Sequence, residues 1–136
     1  MPLDGKDITL LRMLRENSRV SLKNMAQELG MSETAVKKRI ENLKKKGVIR
    51  KFTVEINERV VGFAKAIVCL DASDSERAIA FIKKLPFVSS LSLSSGSHNL
   101  VVEIEGPEGL VQGVFERIKK SRFVKKACCS VIVRRL

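Results

Sequence analysis

The chain has 136 residues, of which 44% are hydrophobic, so it is long enough for one ordinary domain or two small ones with packed cores. Its 26 Lys and Arg against 15 Asp and Glu give a net charge of +11, which predicts a polyanionic partner, most simply nucleic acid. The charge is spread evenly, with net +6 in residues 1–56 and net +5 in residues 57–136. No apolar run is long enough to span a bilayer and no secretory signal opens the chain, so we expect a cytoplasmic protein without a membrane partner.

The aromatic residues indicate which kind of nucleic acid is the partner, and the cysteines bear on whether a metal site is present. There is no Trp or Tyr, and six scattered Phe make no stacking platform, so duplex DNA is favoured over single strands. Cys69, Cys128 and Cys129 have no metal-ligand spacing, and the lone His98 adds no Cys/His cluster. We therefore predict no metal and no cofactor. All three cysteines lie in apolar runs, which predicts buried, structural thiols.

The first predicted helix starts at Asp4 and ends at Asn17-Ser18, with an apolar face of Ile8, Leu11 and Leu14. The segment from Ser21 to Ile49 then predicts two shorter helices joined by a tight turn. Ser21 and Ser32 are good N-caps, and Gly30 between them tolerates the left-handed conformation that ends a helix. Two helices so connected are the layout of a helix-turn-helix, which places its second helix in the DNA major groove.

The second of these helices carries most of the local positive charge. Val36, Ile40 and Leu43 recur at helical period and are predicted to point into the core. Between residues 37 and 51 there are eight Lys or Arg against one acid. The predicted DNA-binding residues are Ser32, Glu33, Thr34, Lys37, Lys38 and Arg39. The alternative is an ordinary helical hairpin with a solvated basic face.

The run VIRKFTVEIN after Gly47 has the composition of a short strand, which predicts a wing or a connecting strand. The pattern changes near Asn57, so we place a winged helix-turn-helix DNA-binding domain at residues 1–57 and a second domain at residues 58–136. The fold class is therefore α+β.

The second domain is predicted to have the order βαββαβ, the ferredoxin-like arrangement of an antiparallel sheet under two helices. Ser73 with Glu76 three residues on reads as a capping box for its first helix. The predicted elements are the strands Phe63–Leu70, Val88–Ser94, Leu100–Glu105 and Ala127–Val133, a helix after Ser73 that closes before Pro86, a turn at Ser95–Asn99, and a helix that begins at Pro107.

These strands predict an oligomer. Antiparallel strands with one wet face should alternate apolar and polar residues, and much of AKAIVCL, LVVEIE and ACCSVIV does not. Two helices can cover only one face of the sheet, so a second copy of the same sheet is the simplest cover for the other. A two-fold dimer also suits a helix-turn-helix, since it reads half-sites about 34 Å apart.

Four segments in this order resemble the Lrp/AsnC family of feast/famine regulators over nearly the whole chain. They are LDGKDITLLRMLRENSRVS, LGMSETAVKKRIENLKKKGVI, NERVVGF and SLSSGSHNLVVEIEG. The resemblance implies a sequence-specific, double-stranded DNA-binding transcription regulator. It also implies a homodimer, or a higher assembly such as an octamer, in which the ferredoxin-like domain is the dimerisation and effector domain and takes small effectors, typically amino acids.

The resemblance also implies an effector-binding loop, here Ser95, Gly96, Ser97, His98 and Asn99. The family pattern usually has an acidic residue where this chain has Asn99. Without that carboxylate an ammonium group is held less firmly. We therefore expect either no amino-acid effector or a weak one, with polar glutamine or lysine favoured over leucine.

Two other functions fit parts of the sequence. The evenly spread positive charge is compatible with an architectural protein that wraps DNA with little sequence preference. Some relatives with this fold are tetrapyrrole-modifying enzymes (siroheme decarboxylases), which need a substrate cavity with acid/base groups. This chain has one His and no Tyr, so we do not expect an enzyme.

Overall fold

The computed structural model describes residues 2–136, which divide into two units between Ile56 and Asn57. The N-terminal unit contains three helices, and the C-terminal unit contains a four-stranded sheet with its helices. The helices of the N-terminal unit are α1 (Gly5–Glu16), α2 (Leu22–Leu29) and α3 (Glu33–Lys45).

The ends of these helices are set by side chains in the predicted positions. Asp4 is the N-cap of α1, and its carboxylate accepts a hydrogen bond from the Asp7 N–H at 2.7 Å. The hydroxyls of Ser21 and Ser32 cap α2 and α3 in the same way. Gly30 ends α2 with φ +63°, a left-handed conformation that glycine adopts without a steric penalty. The core between the three helices consists of Leu10, Met25, Ala26, Leu29, Val36 and Leu43.

The strand predicted in the run VIRKFTVEIN is absent from the described residues. Residues 50–57 have no regular secondary structure, and Phe52 and Val54 are exposed. A strand requires a second extended segment to pair with, and residues 2–56 contain none. The side-chain pattern is strand-like, but among residues 2–56 there is no second strand with which this segment could form a ladder.

The C-terminal unit confirms the predicted βαββαβ order, preceded by one short helix. Its sheet is antiparallel throughout, with the strand order β2-β3-β1-β4. The elements are α4 (Glu58–Val61), β1 (Phe63–Ala72), α5 (Ser75–Ile82), β2 (Val88–Leu93), β3 (Leu100–Pro107), α6 (Glu108–Lys119) and β4 (Val124–Val131).

Several boundaries differ from the prediction. The four strands end at Ala72, Leu93, Pro107 and Val131, rather than at Leu70, Ser94, Glu105 and Val133. Two further differences lie at the starts of α5 and β4. Asp74, not Ser73, is the N-cap of α5, because its carboxylate accepts from the Arg77 N–H at 3.1 Å. The Ser73 hydroxyl instead donates to the Phe123 carbonyl, which joins the start of α5 to the start of β4. β4 begins at Val124 rather than Ala127, since two charged residues precede its apolar run.

The helices cover one face of the sheet, and the other face lies open. Along β1, Ala66, Val68 and Leu70 are completely buried, whereas the residues between them are half-buried. The prediction of strands apolar on both faces is thus only partly right, because the second face mixes apolar and polar side chains. This open sheet face consists of Lys65, Ile67, Cys69, Asp71, Ser90, Ser92, Val101, Glu103, Glu105, Lys126, Cys128 and Ser130.

The prediction of buried thiols is wrong. Cys128 is exposed, and Cys69 and Cys129 are half-buried. Cys69 lies opposite Cys128 in the register of β1 and β4, so both are on the open sheet face, while Cys129 packs against the helix-side core. Partial burial, and then the neighbouring Cys128 thiol, raise the pKa of Cys129.

Phe87 is held in an unusual backbone conformation beside Gly106. Its φ is +64°, which is rare for a residue with a side chain. Its carbonyl accepts from the Glu105 N–H at 2.9 Å, and its ring lies directly over Gly106. A methyl group on Gly106 would lie 2.7 Å from two ring carbons of Phe87. The absence of a side chain at position 106 therefore makes room for the ring.

We predict that Gly106→Ala destabilises the protein by about 1–3 kcal/mol, because the added methyl group overpacks against the Phe87 ring. Urea unfolding measures this change. Gly113→Ala is the control, since nothing lies within 4 Å of a methyl group there and alanine favours the helix by up to about 1 kcal/mol. Equal stability of the two variants would contradict the proposed fit.

Candidate nucleic-acid interface

The predicted recognition helix α3 presents a buried side and a charged side. Val36 and Leu43 are buried and Ile40 packs against the same core, as predicted. Because a helix has about 3.6 residues per turn, the residues beside Val36 point away from the core. The exposed residues at the start of the helix are Ser32, Glu33, Thr34, Lys37 and Lys38.

The exposed lysines of α3 have no acidic partners in the part of the chain that the structure describes. No carboxylate oxygen of residues 2–136 lies within 4.0 Å of the Lys37 or Lys38 ammonium group. Their charges therefore remain available to a polyanion. The N-terminus of α3 also directs backbone N–H groups outward, which favours a negative group beside it.

Arg39 differs from its neighbours, because its guanidinium is bound within the protein. It donates to Asp4 at 2.7 Å and to Asp7 at 2.9 Å, and only 27% of its side chain is exposed. The two carboxylates belong to the capping box of α1, so Arg39 ties α3 to the start of α1. Arg39 therefore has a structural role, and its predicted role in DNA binding stays a prediction.

The loop between β2 and β3 contains the predicted effector residues. The Asn99 side chain accepts from the Ala72 N–H at 2.9 Å and donates to the Ala72 carbonyl at 3.2 Å. Its amide therefore holds the loop to the end of β1. Ser95, Gly96 and Ser97 are exposed.

His98 lies in this loop but is largely buried, since only 22% of its side chain is accessible. Its Nδ1 is buried and lies 3.4 Å from Asp71 Oδ1, without hydrogen-bond geometry. Its Nε2 lies 3.7 Å from the Cys128 sulfur. The strand register brings these three residues together from separate parts of the chain, so spacing in the sequence gives no sign of the cluster.

Among residues 2–136, no helix is long and apolar enough to cross a membrane. No group of three or more His, Cys, Asp or Glu side chains there is arranged to hold a metal ion.

Comparison with known proteins extends these observations. A family profile described as winged helix-turn-helix DNA-binding matches residues 3–50. The HTH-type transcriptional regulator LrpA of Pyrococcus horikoshii is 32% identical over 98% of this chain and 99% of its own length. The crystal structure of PH0061 from the same organism has a TM-score of 0.90 at 25% identity, and the match covers 100% of this chain and 96% of that one.

A more distant structure, the regulator NMB0573 of Neisseria meningitidis in complex with L-Met, has a TM-score of 0.78 at 19% identity. That match covers 98% of this chain and 91% of the other.

A helix-turn-helix unit followed by a βαββαβ unit defines a class of DNA-binding transcription regulators. The chain belongs to the Lrp/AsnC family, as its full-length similarity to LrpA shows. The family resemblance seen in the sequence is therefore confirmed, and the protein is a sequence-specific DNA-binding transcription regulator.

The Arg39 network makes the stability of the N-terminal unit dependent on pH. The hydrogen bond from the Asp7 N–H, and then the Arg39 guanidinium, lower the pKa of Asp4 below its ordinary value of 3.8. The folded state thus favours the ionised carboxylate. The resulting stabilisation is complete above the ordinary pKa and is lost as the pH falls through the lower folded-state pKa.

We predict that Asp4→Asn lowers stability at neutral pH. The difference from wild type should begin to shrink near the ordinary pKa of 3.8 and disappear only below the lowered folded-state pKa of Asp4. Asn still caps the helix but carries no charge toward Arg39. Thermal unfolding of both proteins across pH 2–7 measures the difference. A difference that stays constant over this range would contradict the ionic role of Asp4.

Proposed function

We propose that the protein binds its operator as a homodimer, with the first turns of α3 in the major groove. In this proposal the N-terminal unit reads DNA, and the C-terminal unit dimerises and responds to a small ligand. The observation that carries it is the exposed set at the start of α3, turned away from the buried Val36 and Leu43, in which Lys37 and Lys38 have no acidic partner among the described residues. The proposed contacts are Ser32, Glu33, Thr34, Lys37 and Lys38.

The residue types at these positions suit different parts of DNA. Lys37 and Lys38 carry the unpaired charges that bind phosphate or the acceptor edge of guanine. The Thr34 hydroxyl and methyl group can contact base edges, and Glu33 can accept from a cytosine amino group. Specificity would then lie in the first turns of α3, and affinity would also use Lys44 and Lys45 in its last turn.

The proposed dimer interface is the open sheet face. Its apolar residues Ile67 and Val101 are only half-buried in the single chain. Its central charges are already paired, since Glu103 accepts from the Ser90 hydroxyl at 2.5 Å and lies 3.7 Å from the Lys65 ammonium. Paired charges can be covered at lower cost than free ones. These contacts support a second copy of the sheet as the cover.

We further propose that the β2–β3 loop binds either no amino acid or a small polar one weakly. The L-Met complex of NMB0573 supports an amino acid as the ligand class. The Asn99 amide is used by the Ala72 backbone, so the groups left for a ligand are the hydroxyls of Ser95 and Ser97. Neutral hydroxyls bind an ammonium group less tightly than a carboxylate does.

Two other functions receive less support. The regulator names of the relatives favour regulation over the tetrapyrrole enzyme. Low-specificity DNA wrapping predicts continuous DNase footprints, whereas the function proposed here predicts discrete protected sites.

We predict that Lys37→Ala/Lys38→Ala weakens operator binding and leaves the fold intact. Each lost base contact costs about 1–3 kcal/mol, and each lost phosphate contact lowers the salt slope by about 1. Fluorescence anisotropy at several salt concentrations, on operator and scrambled duplexes, measures both effects.

Lys44→Ala/Lys45→Ala is the matched control, because it removes the same charge from the last turn of the same helix. We expect it to weaken binding to both duplexes alike. If the Lys37/Lys38 variant discriminates between the duplexes as well as wild type does, at matched salt, the proposed base contacts are wrong.

We predict that Ile67→Asp converts the full-length protein into a monomer at micromolar concentration, because it places an unpaired charge within the proposed interface. Sedimentation velocity measures the mass, and circular dichroism checks the fold. Gln112→Asp on the exposed side of α6 is the control and should remain dimeric. Retention of the dimer by a folded Ile67→Asp variant would exclude the open sheet face as the interface.

We predict a small thermal stabilisation by glutamine or lysine, or none by any amino acid, in a thermal-shift screen of the twenty amino acids. Tight binding of leucine, isoleucine or valine, lost in Gly96→Ala, would contradict the effector proposal.

A further inference from the structure

The C-terminal unit carries a second concentration of positive charge, distant in sequence from α3. Residues 117–126, RIKKSRFVKK, contain six bases and no acid. They form the end of α6, a tight turn and the start of β4. We name as the α6–β4 corner four exposed cations of this segment together with a nearby one on α5. They are Lys119, Lys120, Arg122, Lys125 and Arg77.

Contacts around Phe123 hold this corner together. The guanidinium carbon of Arg122 lies 5.0 Å from the centre of the Phe123 ring, and that of Arg77 lies 6.0 Å from it. The Phe123 carbonyl accepts from the backbone N–H and the hydroxyl of Ser73. Two arginines from different elements are thereby kept close to one ring, with their charged groups toward solvent.

In the part of the chain that the structure describes, the acids near the corner pair with only one of its cations, Arg77. Asp74 lies 3.5 Å from Arg77 and caps α5, and Glu116 accepts from Gln112. Within residues 2–136, no carboxylate oxygen lies within 4.0 Å of the charged groups of Lys119, Lys120 or Arg122. Lys119 and Lys120 suit the C-terminus of α6, which attracts cations. That effect does not extend to Arg122, which lies beyond the helix.

The surroundings of the corner indicate the class of ligand. Among the described residues, no large exposed hydrophobic side chain lies in residues 117–126, so the corner lacks the apolar anchor of a membrane-binding surface. Lys119, Lys120 and Arg122 are clustered and have no acidic partner among the described residues, and such cations match the phosphate backbone of duplex DNA.

We propose that the α6–β4 corner is a second, sequence-independent DNA site, which binds the phosphate backbone of DNA flanking the operator. The proposal rests on operator binding by α3 and adds a separate surface to it. The corner contributes affinity and salt dependence on long DNA, and α3 contributes sequence discrimination.

The test compares two variants of equal charge on two duplexes, one trimmed to the operator footprint and one with long flanks. Lys119→Gln/Lys120→Gln removes two lysines from the end of α6, and Lys83→Gln/Lys84→Gln removes two from the end of α5, away from the corner. Affinity is measured from low to moderate salt, together with binding to anionic lipid vesicles.

We expect the Lys119/Lys120 variant to lower the salt slope on the long duplex by about 2 and to match wild type on the trimmed duplex. The Lys83/Lys84 variant should match wild type on both. Equal behaviour of the two variants on the long duplex, or a defect confined to vesicles, would overturn the proposal. If wild-type protein failed to discriminate operator from scrambled DNA, operator reading by α3 would be wrong. If wild type discriminated, but the Lys119/Lys120 variant matched it on the long duplex, only the proposal for the corner would be rejected.

Discussion

A four-stranded sheet has two faces, and the two helices of the C-terminal unit cover one of them. This constraint accounts for the burial pattern of the strands and for the positions of two cysteines. It divides β1 into fully buried residues such as Val68 and half-buried ones such as Ile67, and it leaves Cys69 and Cys128 outside the core. It also explains why Glu103 is paired within its own chain, since an unpaired charge in that position would oppose any cover.

In the N-terminal unit, the helical period of α3 places its core residues on one face and its exposed lysines on another. Val36 is buried, Arg39 is bound to the capping carboxylates of α1, and Lys37 and Lys38 between them remain exposed. Adjacent cations thus have different roles because successive residues of a helix differ by about 100° in direction. Arg39 fixes α3 to the start of α1, and in the proposed function this holds Lys37 and Lys38 in a defined position toward DNA.

Both units carry a concentration of positive charge. On α3 it accompanies the exposed Ser32, Glu33 and Thr34, whose hydroxyl and carboxylate groups can read base edges, whereas at the α6–β4 corner it is gathered around Phe123. Under the two proposals, α3 reads sequence and the corner binds the flanking duplex. Reading and wrapping of DNA would then not be exclusive alternatives.

The sequence alone determined the three N-terminal helices, their caps at Asp4, Ser21 and Ser32, and the βαββαβ order, because these follow from local periodicity and turn chemistry. It also indicated the family, through the resemblance of four segments. Tertiary structure alone decided the features that depend on distant partners. Arg39 meets carboxylates 32 and 35 residues away, and Asn99 meets the Ala72 backbone 27 residues away. The run after Gly47 has a strand pattern and forms no strand, since pairing requires a neighbour that the chain's local sequence cannot supply.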